Sequence, residues 1–236
     1  MAKQLNNGSD KHQPMSWKGR ERMKKQSGFT LIELAIVLVI IGLLLGGVLK
    51  GQELINSAKA KNIAADLKNV QVFIYGYQGK FKAIPGDDAN AATHINGATV
   101  ATTPSGTLNN AQINGAWNST TASDESYLFW QHVRLAGFAT GPTLLTDASY
   151  LPRNADSGRL GVQSLSSDFG TITGMTGLYV ACSENIAGRL AKVIDTNLDD
   201  GNTATGSVRA ILTPPGAATA TTAILDGSTY TVCMSF

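Results

Sequence analysis

The chain is short of the side chains that carry most enzyme chemistry. It has three histidines, His12, His94 and His132, and none sits in a nucleophile or metal motif. GxSxG, HExxH, P-loop and GxGxxG patterns are all absent. The only cysteines are Cys182 and Cys233, and no histidine follows His132, so a zinc site there lacks ligands. Charged residues make up only 15%, and the formal charge of +2 is misleading. Lys3, Lys11, Lys18, Arg20, Arg22, Lys24 and Lys25 crowd the first 28 residues, where the only acids are Asp10 and Glu21. The remainder holds 12 basic and 15 acidic residues, a net of −3, which leaves no nucleic-acid footprint. Proline is absent between Gly28 and Pro85, so nothing in that stretch forbids a continuous helix.

What is present is a long apolar run. From Phe29 to Leu49 the only ionisable side chain is Glu33. As a helix this run is roughly 30 Å long, enough to cross a bilayer core. The basic cluster ahead of it predicts residues 1–28 on the cytoplasmic side and the remainder outside. No small-residue cleavage triplet follows Leu49, so an ordinary cleaved signal is disfavoured and an uncleaved anchor is one reading. Glu33 stands out, because a carboxylate at mid-membrane costs roughly 2.5–3.5 kcal/mol on insertion scales.

The hexad Gly28-Phe29-Thr30-Leu31-Ile32-Glu33, placed before that run, closely resembles the processing site of type IV pilins and type II secretion pseudopilins. The resemblance implies cleavage after Gly28 by a prepilin peptidase, N-methylation of Phe29, and retention of the apolar helix. Glu33 and Thr30 would then serve assembly, Glu33 neutralising the new Phe29 amine of its own subunit or of a neighbour and setting axial register. The leader of 28 residues is longer than in many pilins. The implied partners are copies of the same chain in a helical filament, the peptidase and N-methyltransferase, an inner-membrane assembly platform, minor pilins and the membrane itself. The implied locations are the inner membrane before assembly and an extracellular fimbrium or periplasmic pseudopilus after it. The chain reads as an enzyme's substrate rather than an enzyme.

Four segments are expected: leader 1–28, membrane or filament-core helix 29–49, its continuation 50–82, and an exported domain 83–236. Beyond the membrane, Ile63, Leu67, Val70, Ile74, Tyr77 and Phe81 recur at steps of three and four, the mark of a helix packing one face. The helix is predicted from about Thr30 to Gln78, roughly 75 Å. Gly42, Gly46 and Gly47 offer small faces for close helix approach or a point where the helix stretches on assembly. Pro85-Gly86 reads as a type II turn. Glu125 to Gly137 reads as a second helix, capped by Ser123 or Asp124, with Leu128, His132 and Leu135 on one face. Between them, Gly97–Ser123 is rich in Thr, Ala, Asn, Gly and Ser and is expected to lie exposed.

Strand signals fall at 177–182, 206–212 and 228–233, with a helical pattern between the first two. Three or four antiparallel strands packed on the long helix make a pilin-like α+β domain. Cys182 and Cys233 read as a disulfide closing a loop of about 50 residues, worth roughly 4 kcal/mol; two separate buried thiols are the alternative. A bridge there resembles the disulfide-bounded C-terminal region of type IV pilins. Asp195, Asn197, Asp199 and Asp200 alternate before Gly201 in the manner of a calcium loop, but the later bidentate acid is missing. The plainer reading is a helix ending in an Asp-Asp-Gly turn, so calcium is the only cofactor candidate. Within the pilin-like class the alternatives are a pilus subunit, a secretion pseudopilin, and a minor pilin or anchored module for adhesion or DNA uptake.

Overall fold

With no proline to interrupt it, one helix, α1, spans Leu31–Phe81. The computed structural model describes residues 28–104, 108–165, 172–213 and 219–236. The expected leader therefore lies outside the described residues, Gly28 excepted. The chain divides into two units, Met1–Gly47 and Val48–Phe236. In the first unit every described residue is exposed, including Leu31 at 90%. In the second, Ile63, Leu67, Val70, Ile74 and Tyr77 are fully buried, and Phe81 is half-buried. Each such side chain contributes roughly 1.5–3 kcal/mol on burial.

α1 runs one turn past the expected Gln78. Gly79 faces open space, so it weakens the helix without breaking it. Termination falls to Lys82, which takes a left-handed φ of 58°. Its amide donates to the Gln78 carbonyl at 2.9 Å and its ammonium to the Gly79 carbonyl at 3.1 Å, satisfying two last-turn acceptors.

A single turn, α2 (Ala91–His94), and then α3 (Glu125–Leu135) follow. Asp124 stands at the N-cap of α3, but its carboxylate does not cap. It accepts instead from Thr103 Oγ1 and Ser119 Oγ, tying the preceding loop to the helix start. Leu128 and His132 are fully buried as expected, whereas Leu135 is half-buried. The sheet comprises β1 (Leu160–Ser164), β2 (Tyr179–Ala187), β3 (Val208–Leu212) and β4 (Thr229–Ser235), with α4 (Gly188–Leu198) between β2 and β3. The strands lie in the order β1-β2-β4-β3, all antiparallel. Period-two alternation sends Tyr179, Ala181, Tyr230, Val232 and Met234 into the core shared with α1, α3 and α4. Val180, Cys182, Ile211 and Cys233 face the other way, under Ile172 and Trp117.

The expectation that Gly97–Ser123 lies exposed is wrong for much of its described part. Ala101 and Asn114 are buried and Ile113 is fully so. Polar anchors, rather than apolar surface, hold this segment. The Asp87 carboxylate accepts the amides of Asn110 and Ala111, and the Glu125 carboxylate accepts the Asn114 amide. Tyr179 donates its hydroxyl hydrogen to the Ala111 carbonyl. The segment then laps the outer edge of β1, where the Ser164 amide donates to Ile113 O at 2.9 Å. The backbones approach so closely that a Cβ on Gly161 would stand 1.8 Å from Trp117 O. At the opposite edge, Ala210 of β3 exchanges backbone bonds with Thr203 and Thr221.

Candidate functional site

The helix start is built by Thr30 and Glu33. Thr30 precedes the first helical residue, and its amide and hydroxyl both donate to Glu33 Oε2, at 2.8 and 2.7 Å. The Glu33 amide donates back to Thr30 Oγ1 at 3.2 Å. This is a capping box, Thr-x-x-Glu, which satisfies two amides that have no carbonyl partner within the helix. Glu33 thus has a role in the single chain besides the one first expected of it. Both Thr30 donors go to one carboxylate oxygen and neither to Oε1. Gly28 and Phe29 lie outside the helix, with Phe29 82% exposed.

Past the cap, Leu34 to Leu49 is apolar around its whole circumference and uncovered. Of the described helices, α1 alone is long and apolar enough to cross a membrane. The helix is continuous through Gly42, Gly46 and Gly47, and a Cβ on any of them would meet nothing within 4 Å. Among the described residues, no contact gives a reason for glycine at those positions.

Residues 23–49 match the profile of the prokaryotic N-terminal methylation motif. The chain carries the prepilin signature. The match takes in Gly28, Phe29, Thr30 and Glu33 and extends over the exposed apolar part of α1. It supports a pilin-like or pseudopilin precursor anchored in a membrane by its N-terminal helix. No curated protein and no solved structure matches the chain.

In the second unit, Cys182 and Cys233 form a disulfide. They are directly opposed on the neighbouring strands β2 and β4, with Cα atoms 4.0 Å apart.

The Pro85–Asp88 turn does more than end a helix. Gly86 has φ +95°, and a Cβ there would stand 2.4 Å from Glu125 O, so only glycine fits against the start of α3. The Gly86 amide donates to His132 Nδ1 at 2.9 Å, which leaves Nε2 to donate to Thr99 O at 2.8 Å. Those two bonds require the neutral Nε2–H tautomer. Burial lowers the His132 pKa, only partly countered by Thr99 and by the charge of Asp88. Asp88 is itself fully buried and accepts from Tyr77 OH and His94 Nδ1, both at 2.7 Å, and from the Asn90 amide. Burial pushes its pKa up, but the bonds from His94, Tyr77 and Asn90 outweigh it and hold the carboxyl below its ordinary value. A cleft of about 350 Å³ beside these groups is lined by Phe81, Asp87, Asp88 and His94. Its carboxylates are already committed to backbone and side-chain donors, which is the arrangement of a structural hub.

The candidate calcium residues are brought together in part. Ligand oxygens of Asp195, Asp199 and Asp200 lie within 4.8 Å of one another. Asn197 is exposed on α4. Asp199 Oδ2 accepts the Val208 amide at 2.9 Å, and Asp200 accepts from the Asn202 amide and Thr205 Oγ1. Asp195 is fully buried, and among the described residues neither of its oxygens has a hydrogen-bond partner. Burial, reinforced by the charges of Asp200 and Asp199, pushes its pKa up to about 6. The Gly201 amide, the smallest influence, pulls the other way without reaching hydrogen-bond geometry.

Proposed function

We propose that this chain is a prepilin, cut after Gly28, N-methylated on Phe29, and polymerised through its apolar helix into a type IV pilus-like filament. One observation carries the reading: the methylation motif is followed at once by a capped helix whose apolar circumference is uncovered. Such a surface requires lipid before assembly and neighbouring copies after it. The role is structural, and the peptidase and methyltransferase are partners that act on the chain. Cleavage creates an amine on Phe29, four residues before Glu33. Glu33 Oε2 already holds Thr30, so Oε1 is the oxygen disposed to meet an amine, from this subunit or the next. An unpaired charge in an apolar setting is costly, so pairing selects one axial register. Gly42, Gly46 and Gly47 supply close packing between copies or local stretching.

The disulfide tying β2 to β4 suits an oxidising compartment outside the cytoplasm, which the surface pilus and the periplasmic pseudopilus both offer. Mass spectrometry of the mature protein should find N-methyl-Phe29 as its first residue. Glu33→Val should be processed and inserted normally yet yield few or no filaments by electron microscopy; abundant filaments from that variant would remove the pairing role. Deletion of the chain should abolish surface fibres carrying it. Loss of secretion with surface fibres intact would assign it to a pseudopilus instead.

A further inference from the structure

We infer that Asn96-Gly97 is a site of self-modification, where the folded chain converts an asparagine to aspartate or isoaspartate while it protects an identical tetrapeptide elsewhere. The tetrapeptide Ile-Asn-Gly-Ala occurs twice, at residues 95–98 and 113–116. Asparagine followed by glycine is chemically labile, because no side chain shields the glycine nitrogen from the asparagine carboxamide. With the same neighbours on both sides, local sequence makes the two pairs equally reactive. The fold separates them.

Asn96 and Gly97 are both exposed. They occupy the central positions of a turn closed by the Ala98 amide, which donates to the Ile95 carbonyl at 3.1 Å. Gly97 takes a left-handed φ of +83°, and a Cβ there would meet nothing within 4 Å. Among the described residues, neither the Gly97 amide nor the Asn96 carboxamide makes a hydrogen bond, so nucleophile and target are both unengaged. Asn114 is the opposite case. It is buried, its Nδ2 donates to Glu125 Oε2 at 3.2 Å and to Asn110 Oδ1 at 3.4 Å, and its backbone amide donates to the same Glu125 oxygen at 2.8 Å. Its carbonyl accepts the Ser126 amide at 3.0 Å, and a Cβ on Gly115 would stand 2.8 Å from Ser126 Oγ. Swinging that carboxamide round to the Gly115 nitrogen would strand buried donors, which is costly.

The step balances with water alone. The Gly97 nitrogen gives its proton to hydroxide and attacks Asn96 Cγ. The N–Cγ bond forms, the Cγ–Nδ2 bond breaks, and Nδ2 leaves as ammonia with a proton from water, which restores the hydroxide. Water then adds to either carbonyl of the resulting succinimide. One opening leaves aspartate; the other leaves isoaspartate, whose main chain runs through the side-chain carbon and is longer by one atom. The place makes this consequential. Ile95 and Ala98 are buried with Tyr77 and Ala91. The next residue, Thr99, donates its amide to Gln131 Oε1 and accepts from His132 Nε2, both at 2.8 Å. A lengthened turn therefore disturbs the contacts that seat this segment on α3. The site is independent of the assembly reading, because it involves none of the N-terminal residues.

The test stores the full-length chain in detergent micelles at neutral and mildly alkaline pH, either folded or unfolded in urea. Each asparagine is followed by peptide mass spectrometry, and isoaspartate by methyl transfer from protein isoaspartyl methyltransferase. In urea the two sites should convert at the same rate. In the folded chain Asn96 should convert at least about tenfold faster than Asn114, and faster at the higher pH. The melting temperature of the stored wild type should fall as isoaspartate accumulates. Asn96→Gln, whose longer side chain closes a ring far more slowly, should keep its melting temperature and take no methyl label at this site. Equal conversion of both sites in the folded chain, or an Asn96 that stays intact there while reacting in urea, would overturn the site. An equal fall in melting temperature for the stored Asn96→Gln variant would overturn its structural consequence.

Discussion

His132 is held by one donor and one acceptor that together admit a single protonation state. Adding a proton to Nδ1 would set it against the Gly86 amide, and the ring has no exposure through which water could compensate. The folded pKa is therefore below the ordinary 6.5, and the sign follows. The unfolded chain takes up a proton below that pH while the folded chain does not, so His132's contribution is whole above about pH 6.5 and is lost as pH falls. Asp87 works in the opposite sense. Its carboxyl is pushed up to about 6, chiefly by burial, so the folded chain gains relative to the unfolded one as pH drops from 6 toward 4. Comparing wild type with His132→Gln cancels the Asp87 effect. Their stability difference, measured by urea unfolding, should narrow by up to about 1.4 kcal/mol per pH unit between pH 6.5 and 5. A pH-independent difference would show that the histidine serves only as a packing group.

Among the elements, α1 divides its faces sharply. Leu67 is enclosed and Val72, little more than a turn away, is 61% exposed. Leu67→Ala should cost about 2–5 kcal/mol in denaturant unfolding, and Val72→Ala within about 0.5 kcal/mol. A strong effect at Val72 would point to a cover on that face within the folded chain. The stripe from Ile63 to Tyr77 was legible because a helix repeats every 3.6 residues and no proline interrupts it. Strand β1 was not: Leu-Gly-Val-Gln-Ser has one β-branched residue and a glycine that resembles a breaker, and Gly161 is there to let Trp117 pass. Ile113 was hidden for a related reason. Its segment is poor in apolar groups and is held by Asp87 and Glu125 from elsewhere in the chain, a long-range polar anchorage that no local pattern reveals. At the N-terminus the hexad is plain in the sequence, and its Thr30-x-x-Glu33 spacing is also the capping-box pattern that the structure realises. Of the acidic residues, three of the four candidates proved to cluster, while the burial of Asp195 depends on how α4 packs and is invisible in one dimension.

In the molecule as a whole, the disulfide joins two strands that already pair. Its loop of 51 residues encloses α4 and β3, so it constrains the unfolded chain across the entire C-terminal section. Replacing both cysteines with serine should cost about 2–5 kcal/mol, read as a lower urea midpoint, with the far-ultraviolet spectrum of the folded state unchanged. An unaltered midpoint would show that strand pairing alone confines that section. The sheet has a second property of larger reach. Its outer strands do not offer bare ladders: Ile113 and Pro152 occupy amides of β1, while Thr203 and Thr221 occupy Ala210 of β3. A protein concentrated along a fibre is at risk of cross-β association, strand against strand, whenever an edge lies open. By lapping its loops over both margins, this fold blunts that off-pathway route, so the same bonds that anchor the loops also guard the sheet against joining another.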